Sequence, residues 1–138
     1  MKDRMLNILL VEDDQVDVMN VERAFRTSGI ANPVFVAENG EQALQMLRGG
    51  QVPRERRLVL LDLNMPRMNG IEFLRALRGD AALSLTPVVV LSTSNDDRDR
   101  VDAYNLNVAG YILKPVTFQN FCEAMSTLNK YWSLVELP

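Results

Sequence analysis

Leu58-Val59-Leu60-Leu61, running straight into Asp62-Leu63-Asn64, is the stretch on which the fold turns. Four aliphatic residues with no polar interruption read as a strand covered on both faces, because a strand with one wet face alternates. The acid and amide that follow fall where an open α/β sheet keeps its ligands, at the carboxyl end of a strand. The same grammar recurs on either side. Ile8-Leu9-Leu10-Val11 precedes Glu12-Asp13-Asp14, Val88-Val89-Val90-Leu91 precedes Ser92-Thr93-Ser94, and Tyr111-Ile112-Leu113 precedes Lys114-Pro115. Val34-Phe35-Val36 makes a fifth run.

Between the runs lie segments of helical period. Residues 15–28 place Val16, Met19, Ala24 and Phe25 on one face, residues 40–48 carry Ala43, Leu44 and Leu47, and residues 70–78 carry Phe73, Leu74 and Leu77. Each stops at a glycine or just before one, as helices do. Residues 95–105 open on Ser94-Asn95-Asp96-Asp97, a cap followed by acids that suit a helix N-terminus. Residues 117–131 set Phe118, Phe121, Cys122, Met125 and Leu128 along one stripe. Five strand–helix units predict an open, doubly wound, flavodoxin-like parallel sheet of five strands in the order 2-1-3-4-5, with helices on both faces. A chain of 138 residues is too short for a closed eight-stranded barrel.

The composition excludes several chemistries. There is no histidine, so neither a Ser-His-Asp triad nor a His-ligated zinc is available. The single cysteine, Cys122, forbids an internal disulfide and fits a reducing compartment. A net charge of −3 argues against nucleic acid as the main partner. Neither a signal peptide nor an apolar run long enough for a bilayer is visible, so the expectation is a cytoplasmic protein with no membrane partner.

The residues that end the strands form a chemical set. Asp13 and Asp62 offer carboxylates from neighbouring strands in the expected order, which suits a hard cation such as Mg²⁺. Ser92 stands one strand from Asp62, where a short hydroxyl meets a phosphoryl oxygen. Lys114 stands two strands away, a gap its long stem largely closes. Phosphoryl transfer needs little beyond positioning and charge neutralisation, and Asp62 is the nucleophile such a set would serve.

The runs ILLVEDD at 8–14 and VLLDLNMPRMNG at 59–70, the hydroxyl after VVVL and GYILKP at 110–115 resemble the receiver domain of bacterial two-component response regulators. The resemblance extends from residue 7 to about residue 131, which makes 1–131 the domain and 132–138 an apolar tail with no output domain. It implies that Asp62 accepts a phosphoryl group from a sensor histidine kinase and that the chain is a switch rather than an enzyme. It further implies Mg²⁺ held by Asp13, Asp62 and the Asn64 carbonyl, with Glu12 acting through water; Mn²⁺ or Ca²⁺ can substitute. Ser92 and Tyr111 become the switch pair, Lys114 the phosphate-binding lysine, and Pro115 the residue after a cis peptide bond. Glu-Asp where many members have Asp-Asp, and Ser where Thr is common, both keep the chemistry. The aromatic-rich tail resembles receivers paired with bacterial phytochrome kinases.

Three other readings fit the residues less well. A haloacid-dehalogenase-type phosphatase wants an acid where Asn64 stands, and a dinucleotide-binding module wants glycines where Glu12-Asp13-Asp14-Gln15 stands. A degenerate receiver used only for docking would not need the whole site. The arginines at 54, 56 and 57 read as solvated loop charges, and Cys122 as packing. Tyr131 to Pro138 carries five large apolar side chains in eight positions. Trp132, Leu134, Val135 and Leu137 are therefore expected to dock on the partner of a homodimer, the alternative being that they fold back on their own domain.

Overall fold

In the computed structural model, which describes residues 5–63, 65, 68–92, 97–113 and 117–137, the five apolar runs form one parallel sheet. The strands are β1 (Asn7–Val11), β2 (Val34–Ala37), β3 (Arg57–Leu61), β4 (Val88–Ser92) and β5 (Gly110–Leu113), in the order β2-β1-β3-β4-β5. The helices are α1 (Gln15–Thr27), α2 (Gly40–Arg48), α3 (Gly70–Gly79), α4 (Asp97–Asn105) and α5 (Phe118–Leu134). The start expected for the fourth helix, Ser94-Asn95-Asp96, lies outside the described residues. No helix among the described residues is long and apolar enough to cross a membrane.

The uninterrupted aliphatic runs are explained by two separate cores. Leu9, Val11, Val59, Leu61 and Val90 pack with Ala43, Leu44, Phe73, Leu77 and Ala103, which belong to α2, α3 and α4. Their strand neighbours Ile8, Leu10, Leu58, Leu60, Val89 and Leu91 pack with Val18, Phe25, Phe121 and Met125 of α1 and α5. Successive residues of a strand point to opposite faces, so a strand buried on both needs an apolar residue at every position. The stripes expected on α2, α3 and α5 face inward. Arg23 lays its guanidinium over the Phe118 ring, 4.1 Å from its centroid, and joins α1 to α5 at their rim.

Three expectations are corrected. On α1 the buried residues are Val18, Val21, Ala24 and Phe25, while Val16 and Met19 are 64% and 63% exposed. Two apolar stripes share that helix, and its docking against α5 and the sheet decides which is buried. The last helix runs to Leu134, three residues past its expected end at 131. Trp132 is buried in the α1/α5 core, Val135 and Leu137 pack against the same core, and Leu134 is 81% exposed. Trp132, Val135 and Leu137 therefore fold back on their own domain, against the expected docking on a partner, while Leu134 stays exposed.

The third correction concerns the arginines before β3. Only Arg54 is exposed. Arg56 donates to the carbonyls of Trp132 (2.5 Å) and Val135 (3.1 Å), so its charge meets the carboxyl end of α5. Arg57 is buried and donates to the carbonyls of Pro53, Leu47 and Val52 at 3.0, 2.8 and 2.7 Å. Arg78, in the last turn of α3, plays the same part, donating to the carbonyls of Ser84, Thr86, Leu106 and Asn107. These guanidinium groups satisfy loop and helix-end carbonyls that the ladders cannot reach.

Candidate metal and phosphoacceptor site

The register of the central strands builds the site. Val11 stands opposite Leu61, so Glu12 and Asp62 leave β1 and β3 at the same level. The ladder continues one step, with Asp62 N–H donating to Val11 O at 3.0 Å and Glu12 N–H to Ala37 O at 2.9 Å. Carboxylate oxygens of Glu12, Asp13 and Asp62 all lie within 4.8 Å of one another. Glu12 and Asp62 are buried and Asp13 is exposed. Glu12 also accepts from Asp14 N–H at 3.2 Å, which turns its carboxylate back toward the loop.

Like charges at this range repel by on the order of a few kcal/mol, less where water screens Asp13. Two nearly buried carboxylates beside a third have a reason to be kept together if a hard cation neutralises them, and three oxygen donors match that preference. Asp13 at the exposed side leaves a route in. The donor set fits a divalent ion.

Ser92, the last residue of β4, is fully buried. Leu61 stands opposite Val90, so Ser92 lies one position further along its strand than Asp62 does. Tyr111 stands opposite Val90 on the edge strand β5 and packs, half-buried, against the core cluster that includes Ala103 of α4. Asn64, Lys114 and Pro115 lie outside the described residues. The structure thus brings Glu12, Asp13 and Asp62 together and puts Ser92 and Tyr111 on the next two strands.

Two glycines missed in the sequence hold the loop after Asp62. A Cβ on Gly70 would stand 2.6 Å from Leu63 Cα and 2.8 Å from Asp62 O, so the first turn of α3 sits directly on the acceptor's backbone. Gly70 N–H donates to Leu63 O at 3.0 Å. A Cβ on Gly40, at the start of α2, would meet Met68 O at 2.8 Å. Met68 itself takes a left-handed φ of 64°, a conformation other residues hold at some strain. Asn69 and Glu72 then close a reciprocal capping box, at 3.0 and 2.9 Å. The Asn69-Gly70 pair was the available signal, since it combines a cap with a residue that permits close approach.

The model of the response regulator receiver domain matches residues 8–126. The chain belongs to the response-regulator receivers. This receiver is 36% identical over 130 residues to the probable methanogenesis regulatory protein FilR2 of Methanothrix harundinacea, covering 91% of this chain and 82% of that one. It is 33% identical to the response regulator Rcp1 of Synechocystis, covering 95% and 92% of the two chains. The Mn²⁺-bound form of Rcp1 superposes with a TM-score of 0.79, over 95% of this chain and 97% of that one. The phosphorylated cyanobacterial phytochrome response regulator RcpA superposes with a TM-score of 0.83 at 33% identity, over 97% and 99% of the chains. As a receiver of a two-component system, the protein partners with histidine kinases. The phosphatase and dinucleotide-binding readings fall with that membership.

Proposed function

We propose that the receiver accepts a phosphoryl group on Asp62 from a phytochrome-type sensor histidine kinase and passes the signal on by protein–protein contact. The convergence of the Glu12, Asp13 and Asp62 carboxylates beside buried Ser92 carries this reading. An Asp62 carboxylate oxygen attacks phosphorus, a P–O bond forms, and the P–N bond to the kinase imidazole breaks. Asp13, Asp62 and the Asn64 carbonyl would hold Mg²⁺, with Glu12 acting through water. Bound there, the ion supplies charge neutralisation for the transferred group. Lys114, assigned from its motif alone, balances charge from the other side, and the Ser92 hydroxyl donates to a phosphoryl oxygen. Tyr111 packs against the core cluster that includes Ala103 of α4, and in this reading a rearrangement at Ser92 on the neighbouring strand is read out at α4 and β5. The phytochrome assignment rests on the likeness to RcpA.

The receiver also pairs with itself in this reading, by a route different from tail exchange. Tyr131 and Leu134 on α5, and Val101 and Tyr104 on α4, are large apolar residues left 50–81% exposed while Trp132, Val135 and Leu137 are already engaged. These helices cover opposite faces of the sheet beside β5, and the two-fold contact is placed across that edge.

The test is covalent labelling. Acetyl phosphate with Mg²⁺ is expected to add one phosphoryl group, read by intact mass, and chelator to prevent it. Asp62→Asn removes the nucleophile with little change of shape and is expected to abolish labelling. A variant that is still labelled would place the acceptor elsewhere.

A further inference from the structure

At the far end of the sheet from Asp62, a groove of about 280 Å³ lies between the loop before β3, the turn before β4 and the tail. Arg57 opens β3 and Asp62 follows its last residue, which separates the two regions by roughly 16 Å of strand. Among the described residues, Arg54, Arg57, Leu85, Thr86, Pro87 and Leu137 line the groove with two alanines, and none of these carries a carboxylate.

The cationic side is preorganised. Arg57 is only 8% exposed. Its Nε and Nη2 hold the carbonyls of Pro53, Leu47 and Val52, which fixes the guanidinium plane. Nη1 has no acceptor among the described residues, and it is not one of the buried unpaired atoms, so solvent reaches it. Arg54 is exposed at the rim and makes no ion pair or hydrogen bond among the described residues. Burial first, and the neighbouring Arg54 charge second, lower the Arg57 pKa. Asp80, whose chain neighbours line the groove, is already engaged by Arg48 Nε and Ala82 N–H.

We propose that this groove binds a small amphipathic anion, with a carboxylate or phosphate head between Arg57 Nη1 and Arg54 and a short apolar body on Leu85, Pro87 and Leu137. A planar guanidinium held in place suits such a head, and an oxyanion there relieves the repulsion between the two arginines. The volume is near the low end of ligand sites, roughly 300–1,000 Å³, which restricts the body to a few carbons. Leu85 is 72% exposed without a ligand, and an apolar body covers it.

The experiment titrates the isotope-labelled full chain with N-acetyl-leucine and with butyl phosphate, at constant ionic strength. EDTA keeps the acidic cluster out of the measurement. At least one probe is expected to give saturable shifts of the Ala82, Leu85 and Thr86 amides, and the tighter one identifies the head group as carboxylate or phosphate. The neutral N-acetyl-leucinamide is expected not to saturate. Arg54→Gln is expected to weaken binding at least fivefold, and Leu85→Asp at least tenfold by placing a carboxylate at the mouth. Both positions are exposed, and unchanged melting temperatures would verify the fold. The proposal is overturned if neither anion saturates at these amides, if the neutral amide binds equally well, or if both variants keep the original affinity.

Discussion

Asp80 ties the end of α3 to the turn that follows. Its carboxylate accepts from Arg48 Nε at 2.9 Å and from Ala82 N–H at 3.0 Å. The Arg48 hydrogen bond chiefly, and the Ala82 N–H after it, hold the carboxyl below the usual carboxylate range. The unfolded chain titrates this group at about 4, so between that value and the lower folded one the unfolded state binds more protons. The stabilisation is complete above about pH 4 and is lost as pH falls through the folded value. Asp80→Asn is therefore expected to lower the urea midpoint slightly at pH 7 and by less at pH 3, below the range where the stabilisation is complete. An equal deficit at both pH values would show that the pair contributes through shape alone. A surface pair like this was not legible beforehand, because Arg48 and Asp80 are distant in sequence. Neither were the separate roles of Arg54, Arg56 and Arg57. All three look alike in a polar loop, and their acceptors are carbonyls, which every residue carries.

Among the elements, α3 does most to position the site. Its capping box and Gly70 press the helix start onto the Asp62–Leu63 backbone, where an added methyl has no room. Gly70→Ala is expected to cost about 1–3 kcal/mol by overpacking. It is also expected to slow acetyl-phosphate labelling of Asp62 under conditions where the variant remains folded. Denaturation and a labelling time course measure the two effects, and wild-type values in both would contradict the close approach. The bounds of α2 and the stripes of α2, α3 and α5 were legible because period and caps agree. On α1 the period allowed two stripes, and only the neighbouring elements chose between them. The extension of α5 to Leu134 was hidden because Trp132 and Leu134 looked like an apolar tail; in the structure Arg56 supplies the positive charge that this helix end lacks in its own last turn.

For the molecule as a whole, the tail is a structural part of the second core. Trp132 is 7% exposed there and packs edge-on against Tyr131, with ring centroids 5.0 Å apart. Trp132→Ala is expected to cost roughly 3–5 kcal/mol in a denaturant titration, with no direct effect on pairing. Leu134→Glu, on the exposed side of the same helix, is expected to leave stability within about 0.5 kcal/mol. By light scattering it should shift the proposed dimer toward monomer. A Trp132→Ala protein of wild-type stability would mean that the tail leaves its own domain, and a dimer unaffected by Leu134→Glu would move the interface off α5.

The strand–helix alternation, the parallel sheet and the chemistry at the strand ends are legible in the residues alone. Those features are written in short-range signals: aliphatic runs of strand length, helical periods, caps, and acids placed directly after strands. The strand order expected for five such units is the one the structure shows, and the register brings three carboxylates within 4.8 Å. Which face of α1 is buried, which arginines satisfy loop and helix-end carbonyls, where α5 ends and which surface the tail covers emerge once the elements pack together. Each depends on groups far apart in the chain, and burial depends on what arrives opposite a residue. Side-chain type alone does not specify that neighbour.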